Sequence, residues 1–274
     1  MQESYWNRDF NYPKHEIFSQ LQVPPDTPFF ARLDGRRFQA ISEKVGAEKP
    51  FDERFAKCLV ASARALFESN FNPALVYVAS DEINVLFLYA APFRRRIEKV
   101  DSIFAGIASS AFSLSAAKLF KKPLITAFDS RIIVSSQEKV TEYLTWRQRD
   151  AWRNHNNAYA YWLFRRNGYK PSEATKKLKG LRTKDLHEIL FSHGINLTQT
   201  PAWQRRGILL YREPYQKRVK NQIATRRQIK ENWDLPLFSS KEGRDLIRQI
   251  LKWAKPQCRK RIGCLSLSSK ELES

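Results

Sequence analysis

The sequence predicts an α+β protein with a ferredoxin-like β-α-β-β-α-β core, additional helices after it, and a basic C-terminal extension. Three observations carry that expectation. Apolar β-rich runs and amphipathic helical stretches alternate in this order over residues 27–134. Helical spacing takes over from residue 141. From Pro201 to Ser274, 18 basic residues face only 7 acidic ones.

Thr27 to Leu33 is a short, mostly apolar run closed by Asp34-Gly35, the pattern of a buried strand leading into a turn. Asp52 to Ser69 sets Phe55, Leu59, Ser62 and Leu66 at helical spacing, with Cys58 and Ala65 widening the stripe. After Asn72-Pro73, the runs Ala74 to Ala79 and Ile83 to Tyr89 form a hairpin about Ser80-Asp81-Glu82. An Ala- and Ser-rich helix spans about Glu98 to Phe120, ends at Lys121-Lys122-Pro123, and hands over to a strand within Leu124 to Val134. In such an arrangement each half is a right-handed crossover and the first two strands run parallel. The end of the first strand and the turn between the second and third then share one sheet edge, which brings Asp34 and Asp81 together.

Beyond this core, Thr141 to Arg166 is a long helix mixing basic residues with Tyr143, Trp146, Trp152, Tyr159, Tyr161 and Trp162. Pro171 to Leu178 and Thr183 to Phe191 are shorter helices, and Ile208 to Tyr211 is a strand. From Lys217 the apolar residues are too sparse to assign a fold. The expected organisation is a catalytic core over 1–140, a helical basic region over 141–215, and a basic extension over 216–274.

Lys and Arg outnumber Asp and Glu by 48 to 28, a net charge of +20 that calls for a polyanionic partner. Cys58, Cys258 and Cys264 form no CxxC pair, and His15, His155, His187 and His193 are scattered, so neither a zinc site nor a disulfide framework is expected. No apolar stretch is expected to span a bilayer and Met1 to Phe10 is not signal-like, so the expectation is a cytoplasmic protein without membrane partners.

The chemistry concentrates at the two acidic turns. Carboxylates at a strand end and in the adjacent hairpin turn bridge divalent cations, of which magnesium prefers such oxygen ligands. Arg32, Arg36 and Arg37 flank Asp34, and Lys44 and Lys49 follow, as a triphosphate pocket requires. Gly35 lets the backbone come close to a metal or phosphate.

Arg32-Leu33-Asp34-Gly35-Arg36, Lys49-Pro50, Ser80-Asp81-Glu82, Phe128-Asp129-x-Arg131 and Trp146-Arg147-Gln148 resemble, in order and spacing, the motifs of tRNA-His guanylyltransferase and its relatives, the 3′-to-5′ polymerases. The resemblance covers about residues 27–211. It implies a polymerase-like palm over 1–140, a homotetramer, and two magnesium ions held by Asp34, the Gly35 carbonyl and Asp81. Asp34, Asp81 and Glu82 are the catalytic carboxylates it implies. Asp34 to Gln39 (Gly35, Arg36, Arg37 and Phe38 between them), Lys49, Ser80 and Asp81 would hold the incoming GTP or ATP. Arg32, Arg96 and Lys99 would meet the triphosphate or the RNA 5′ end, and Arg131, Arg147 and Asn154 the tRNA.

The chain also departs from the family. Gln39 stands where a His is common. Against a His-Ile-Asn-Asn-Leu-Tyr-Asn-Thr signature the ungapped segment Trp152-Arg153-Asn154-His155-Asn156-Asn157-Ala158-Tyr159 keeps only Asn154 in register, whereas a two-residue insertion aligns Asn156-Asn157-Ala158-Tyr159 with Asn-Asn-Leu-Tyr and still lacks the histidine. These differences resemble the archaeal and bacterial members, implying template-directed repair of tRNA 5′ ends, with strict guanylate addition to tRNA-His as the alternative. A noncatalytic RNA-binding module shares the basic surface but has no use for carboxylates facing a polyanion. A palm-type cyclase acting on free nucleotides shares the metal pair but not the need for so much positive charge.

Overall fold

The computed structural model describes residues 15–219 and 222–255; Met1 to Phe10, Cys258, Cys264 and the end of the basic extension lie outside them. The first half runs β1 (Phe29–Gly35), α1 (Phe38–Val45), α2 (Glu53–Glu68), β2 (Leu75–Ala79), β3 (Glu82–Phe87), α3 (Ile97–Phe120) and β4 (Phe128–Val134). The second half continues with α4 (Val140–Arg166), α5 (Pro171–Leu178), α6 (Thr183–Ser192), α7 (Ala202–Arg206), β5 (Ile208–Val219), β6 (Gln222–Asn232) and α8 (Lys241–Ala254).

One sheet in the order β4–β1–β3–β2–β5–β6 contains all six strands, with every neighbouring pair antiparallel. Because β3 lies between β1 and β2, those two run parallel, as the sequence connectivity requires. Both faces are covered, which explains why the strands read as unbroken apolar runs rather than alternating ones. Phe29, Ala31, Leu33, Ile83, Val85 and Phe87 pack under α2 and α3. Phe30, Tyr77 and Leu86 face the other way, into a core with Leu144 of α4 and Ile247 and Ile250 of α8. Phe30 stacks on Tyr143 with ring centroids 4.0 Å apart.

The α3 helix corrects one sequence expectation. By length and composition it is apolar enough to cross a membrane, because its charged residues sit near its ends and its middle is Ala, Ser, Ile and Phe. In this fold it covers the sheet, burying Val100, Phe104, Ala108, Phe112, Ala116 and Phe120 at four-residue spacing. The buried Ser62 hydroxyl fastens α2 to it by donating to the Ala108 carbonyl at 2.9 Å.

Four elements lie where the sequence assigned none, α1, α7, β6 and α8, and β5 runs on past the expected Ile208–Tyr211 to Val219. Only Ile208–Tyr211 of β5 pairs with β2, and beyond Tyr211 the strand pairs with β6 as a two-stranded ribbon. Gly207 makes the join possible: its φ is +78°, and a Cβ there would sit 2.5 Å from the Val78 carbonyl oxygen. Gln148 of α4 pins the second half to the first. Its amide donates to the Pro236 carbonyl at 3.1 Å and the Arg206 carbonyl at 3.3 Å, and accepts from the Phe238 N–H at 2.8 Å.

Candidate active site

β1 ends in Asp34 and Gly35, and the β2–β3 turn presents Ser80 and Asp81 beside them. The Gly35 N–H donates to the Asp81 carbonyl at 3.0 Å, so the two segments are joined by backbone and not merely adjacent. A Cβ on Gly35 would lie 2.5 Å from the Phe38 ring, so no larger residue fits without displacing that ring. Ser80 takes a left-handed conformation at φ 57°, which turns the chain sharply enough to aim Asp81 back toward β1.

Burial pushes the Asp81 carboxyl above its ordinary range and the negative charge of Asp34 pushes it further, while a hydrogen bond from Ser80 pulls it part of the way back. A buried carboxyl raised further by a neighbouring negative charge makes a site that favours a cation. The side chains there, with the Gly35 carbonyl, offer oxygen donors only, which suits magnesium rather than zinc. Among the described residues no cluster of three His, Cys, Asp or Glu side chains forms a metal site, so the candidate donors are two carboxylates and backbone.

Cross-strand register extends this edge. Asp34 lies opposite Glu82 on β3 and Asp129 on β4, and the next row on the same face is Arg131, Arg32 and Asn84. Glu82 is already saturated. Arg147 of α4 donates to its two oxygens at 2.8 and 2.7 Å, Asn84 donates at 2.8 Å, and the Arg32 guanidinium lies at 3.9 Å. Arg147 also binds Asp150 at 3.0 Å.

Arg147, expected at the tRNA, is turned inward onto Glu82, and Glu82, expected among the catalytic carboxylates, is held by it. Arg32 is half-buried against Glu82 and hydrogen-bonded to Tyr143, and Arg131 is paired with Asp129 at 2.6 Å.

A cleft of about 530 Å³ opens from Asp81 between the α1–α2 segment and α4. Phe38, Gln39, Lys49, Ser80 and Asp81 from the expected nucleotide set line it, together with Asn154, expected at the tRNA. The Phe38 side chain belongs to the core, packed on Phe112 and Phe128 at 4.8 and 4.9 Å, and forms the cleft's floor. The Lys49 ammonium donates to Ser42 and lies 5.5 Å from the Trp162 ring centroid, and its burial lowers its pKa.

Asp52 shapes the loop that carries Lys49. It caps α2 by accepting from the Arg54 N–H and holds the Glu48 N–H, both at 2.8 Å. Although burial acts against its charged form, the Arg54 guanidinium and these two N–H groups keep its carboxyl below the usual range. Arg36 and Arg37 are exposed, with no side-chain partner among the described residues, and the first turn of α1 has no side-chain cap. Its free N–H groups and the two cations suit an anion.

Arg96 and Lys99 stand apart from this group. They sit at the start of α3, beyond the far end of β3, where Arg96 bridges to Gln22, and among the described residues they bond to none of the carboxylates. Sequence reasoning passed over Ser42, Asp52, Asp129 and Trp162. Only Asp129 carried a signal, through its place in the Phe128-Asp129-x-Arg131 motif; the others depend on loop and helix geometry.

Comparisons with known proteins identify relatives of the chain. The family model described as tRNAHis guanylyltransferase matches residues 10–136, and the model of the corresponding C-terminal domain matches residues 138–242. The probable tRNA(His) guanylyltransferase of Drosophila melanogaster is 32% identical over 197 residues, covering 70% of this chain and 69% of that protein. The tRNA(His) guanylyltransferase of Schizosaccharomyces pombe is 33% identical, covering 69% and 75% respectively. Among solved structures, a bacterial tRNA(His) guanylyltransferase-like protein in complex with ATP superposes with a TM-score of 0.72 at 25% identity, over 88% of this chain and 97% of that one. The enzyme from Saccharomyces cerevisiae superposes with a TM-score of 0.65 at 29% identity, over 74% and 92%.

Proposed function

Since the chain belongs to the tRNA-His guanylyltransferase family of nucleotidyltransferases, we propose that it adds a guanylate to the 5′ end of tRNA-His in the 3′-to-5′ direction. The observation that carries the reading is Asp81, with the Asp34 charge beside it, on the lining of a cleft that also holds Lys49 and Asn154. In the reaction the 3′-hydroxyl of GTP attacks the phosphorus of an activated 5′ phosphate. A new O–P bond forms, the hydroxyl proton leaves, and pyrophosphate or AMP departs according to whether the end was triphosphorylated or first adenylylated by ATP.

Lys49, Arg36, Arg37 and the uncapped first turn of α1 would hold the triphosphate of the incoming GTP, which passes through the reaction intact and becomes the new 5′ triphosphate. Phe38 and Gln39 would form the floor and wall against which the nucleotide is oriented. Glu82, fixed by Arg147, Arg32 and Asn84, lies directly across the strand pair from Asp34 and would set the charge beside it. Asp34, Asp81 and the Gly35 carbonyl would hold two magnesium ions, which when bound acidify the attacking hydroxyl and neutralise the triphosphate.

Template-directed repair, the expectation raised by Gln39 and residues 152–159, ranks second. The support for guanylate addition comes from relatives named for tRNA(His), aligned over about 70% of the chain. The deciding experiment incubates the protein with magnesium, labelled GTP, and tRNAs carrying a 5′ monophosphate, a 5′ triphosphate or a missing first nucleotide. One guanosine added only to tRNA-His, whatever base lies opposite, supports the primary reading. Extension of several truncated tRNAs by complementary bases replaces it with repair, and no addition to any of them defeats both. Tetramer formation is a further proposal, tested by sedimentation of the full chain.

A further inference from the structure

The aromatic residues of α4 separate in the fold. Tyr143 is bound over Phe30, Trp152 packs in the cluster of α4 with α6, and Tyr159 packs against Phe51. Trp146 is left with 51% of its surface in solvent. It lies beside the carboxylate edge: the Arg147 guanidinium carbon is 4.4 Å from its ring centroid, and the same guanidinium holds Glu82 at 2.7 Å, directly across from Asp34. Tyr143 meets it edge to face at 5.7 Å and is itself fastened to Asn84 at 2.6 Å, so the indole sits against fixed neighbours rather than on a mobile surface. Three residues further along α4, Arg149 is exposed and has no side-chain partner among the described residues. That spacing places it on the same helix face as Trp146.

We propose that Trp146 is a stacking ledge for the 5′-terminal nucleobase of the RNA substrate, with Arg149 taking a backbone phosphate. The proposal rests on the reading of the chain as a 5′-end nucleotidyltransferase. An indole held within one guanidinium of the catalytic carboxylates is suited to hold the base whose phosphate must lie over Asp34 and Asp81. Aromatic stacking on a base is sequence-tolerant and depends little on salt, whereas a phosphate contact releases counterions. The two residues therefore have separable signatures.

The experiment measures binding of two tRNAs by the full chain with magnesium and no nucleotide: one with an intact 5′-terminal base and one abasic at that position. Trp146→Ala should weaken binding of the intact tRNA about tenfold, while Trp146→Phe keeps most of the affinity and wild type binds the abasic tRNA no better than Trp146→Ala does. Trp146→Ala should leave the slope of log affinity against log salt unchanged, and Arg149→Ala should lower that slope by about one. The ledge is overturned if Trp146→Ala binds intact tRNA as wild type does, or loses the same factor on both RNAs. It is equally overturned if the variant only shifts the sedimentation of the protein, because the indole then covers a second copy of the chain. Absence of nucleotide addition by the wild type would defeat the functional reading while leaving the base-dependent affinity difference measurable.

Discussion

Arg147→Met is the most informative single change. The Arg147 and Glu82 side chains are each only 12% exposed and share two parallel hydrogen bonds of 2.8 and 2.7 Å. Removing the cation leaves Glu82 with the Asn84 amide at 2.8 Å and Arg32 at 3.9 Å, and strips Asp150 of a 3.0 Å partner. Breaking a buried pair from one side costs about 3–5 kcal/mol. The surviving partners of Glu82 hold the loss to the lower end, about 3 kcal/mol, or roughly two powers of ten in the folding equilibrium. Urea unfolding of wild type, Arg147→Met, Glu82→Gln and the double variant measures this directly. A coupling of about 2 kcal/mol is expected between the two sites, and kcat should fall with little change in the KM for GTP, since Glu82 sets the charge beside Asp34 and does not hold the nucleotide. A loss under about 1 kcal/mol with additive single effects would refute the reasoning and make the pair an ordinary screened surface contact.

Asp34→Ala and Asp81→Ala should each abolish nucleotide addition while leaving tRNA affinity nearly intact; activity close to wild type in either rejects the metal assignment. Gly35→Ala should cost about 1–3 kcal/mol, seen as a lowered Tm, because the new methyl meets the Phe38 ring; an unchanged Tm would mean the ring gives way freely. Burial holds His155 at a pKa of about 4, below the ordinary 6.5, so its neutral form is the one the fold favours. Its contribution is complete above pH 6.5 and is lost as pH falls toward 4. Wild type should therefore lose about 2 kcal/mol more than His155→Gln between pH 7 and pH 5 in urea titrations, and parallel curves would show that His155 is not the group responsible. Replacing Lys217, Arg226 and Arg227 of the β5–β6 ribbon by Ala should flatten the salt dependence of tRNA binding, and an unchanged slope would mark that charge as a solvated surface.

The core and the meeting of Asp34 with Asp81 were legible because the order of elements fixes the strand directions, a helical crossover returning the second strand parallel to the first. The sequence does not show which partner a charge takes. Arg147 reads as one more basic residue in a basic helix, and only the packing of α4 over β3 turns it onto Glu82. Phe38 sits in the segment expected to hold the nucleotide, yet its ring belongs to the core. The β5–β6 ribbon was missed beyond Tyr211 because Arg212 to Lys217 and Thr225 to Lys230 leave the sheet and carry little apolar pattern to mark a buried face. α1 was missed because eight residues between two turns carry too little periodicity, and α8 because its buried Ile247, Ile250 and Leu251 are set among charges.

The pairing of β5 with β2 bears on where this chain can be divided. Residues 1–140 contain the candidate carboxylates Asp34, Asp81 and Glu82, but on their own they would leave the outer rim of β2 from Leu75 to Val78 as a row of unsatisfied N–H and carbonyl groups. The apolar side chains of Phe30, Tyr77 and Leu86 would lose α4 and α8 at the same stroke. A fragment ending there would recruit strands from its neighbours and aggregate, so each half of the chain serves as the folding partner of the other.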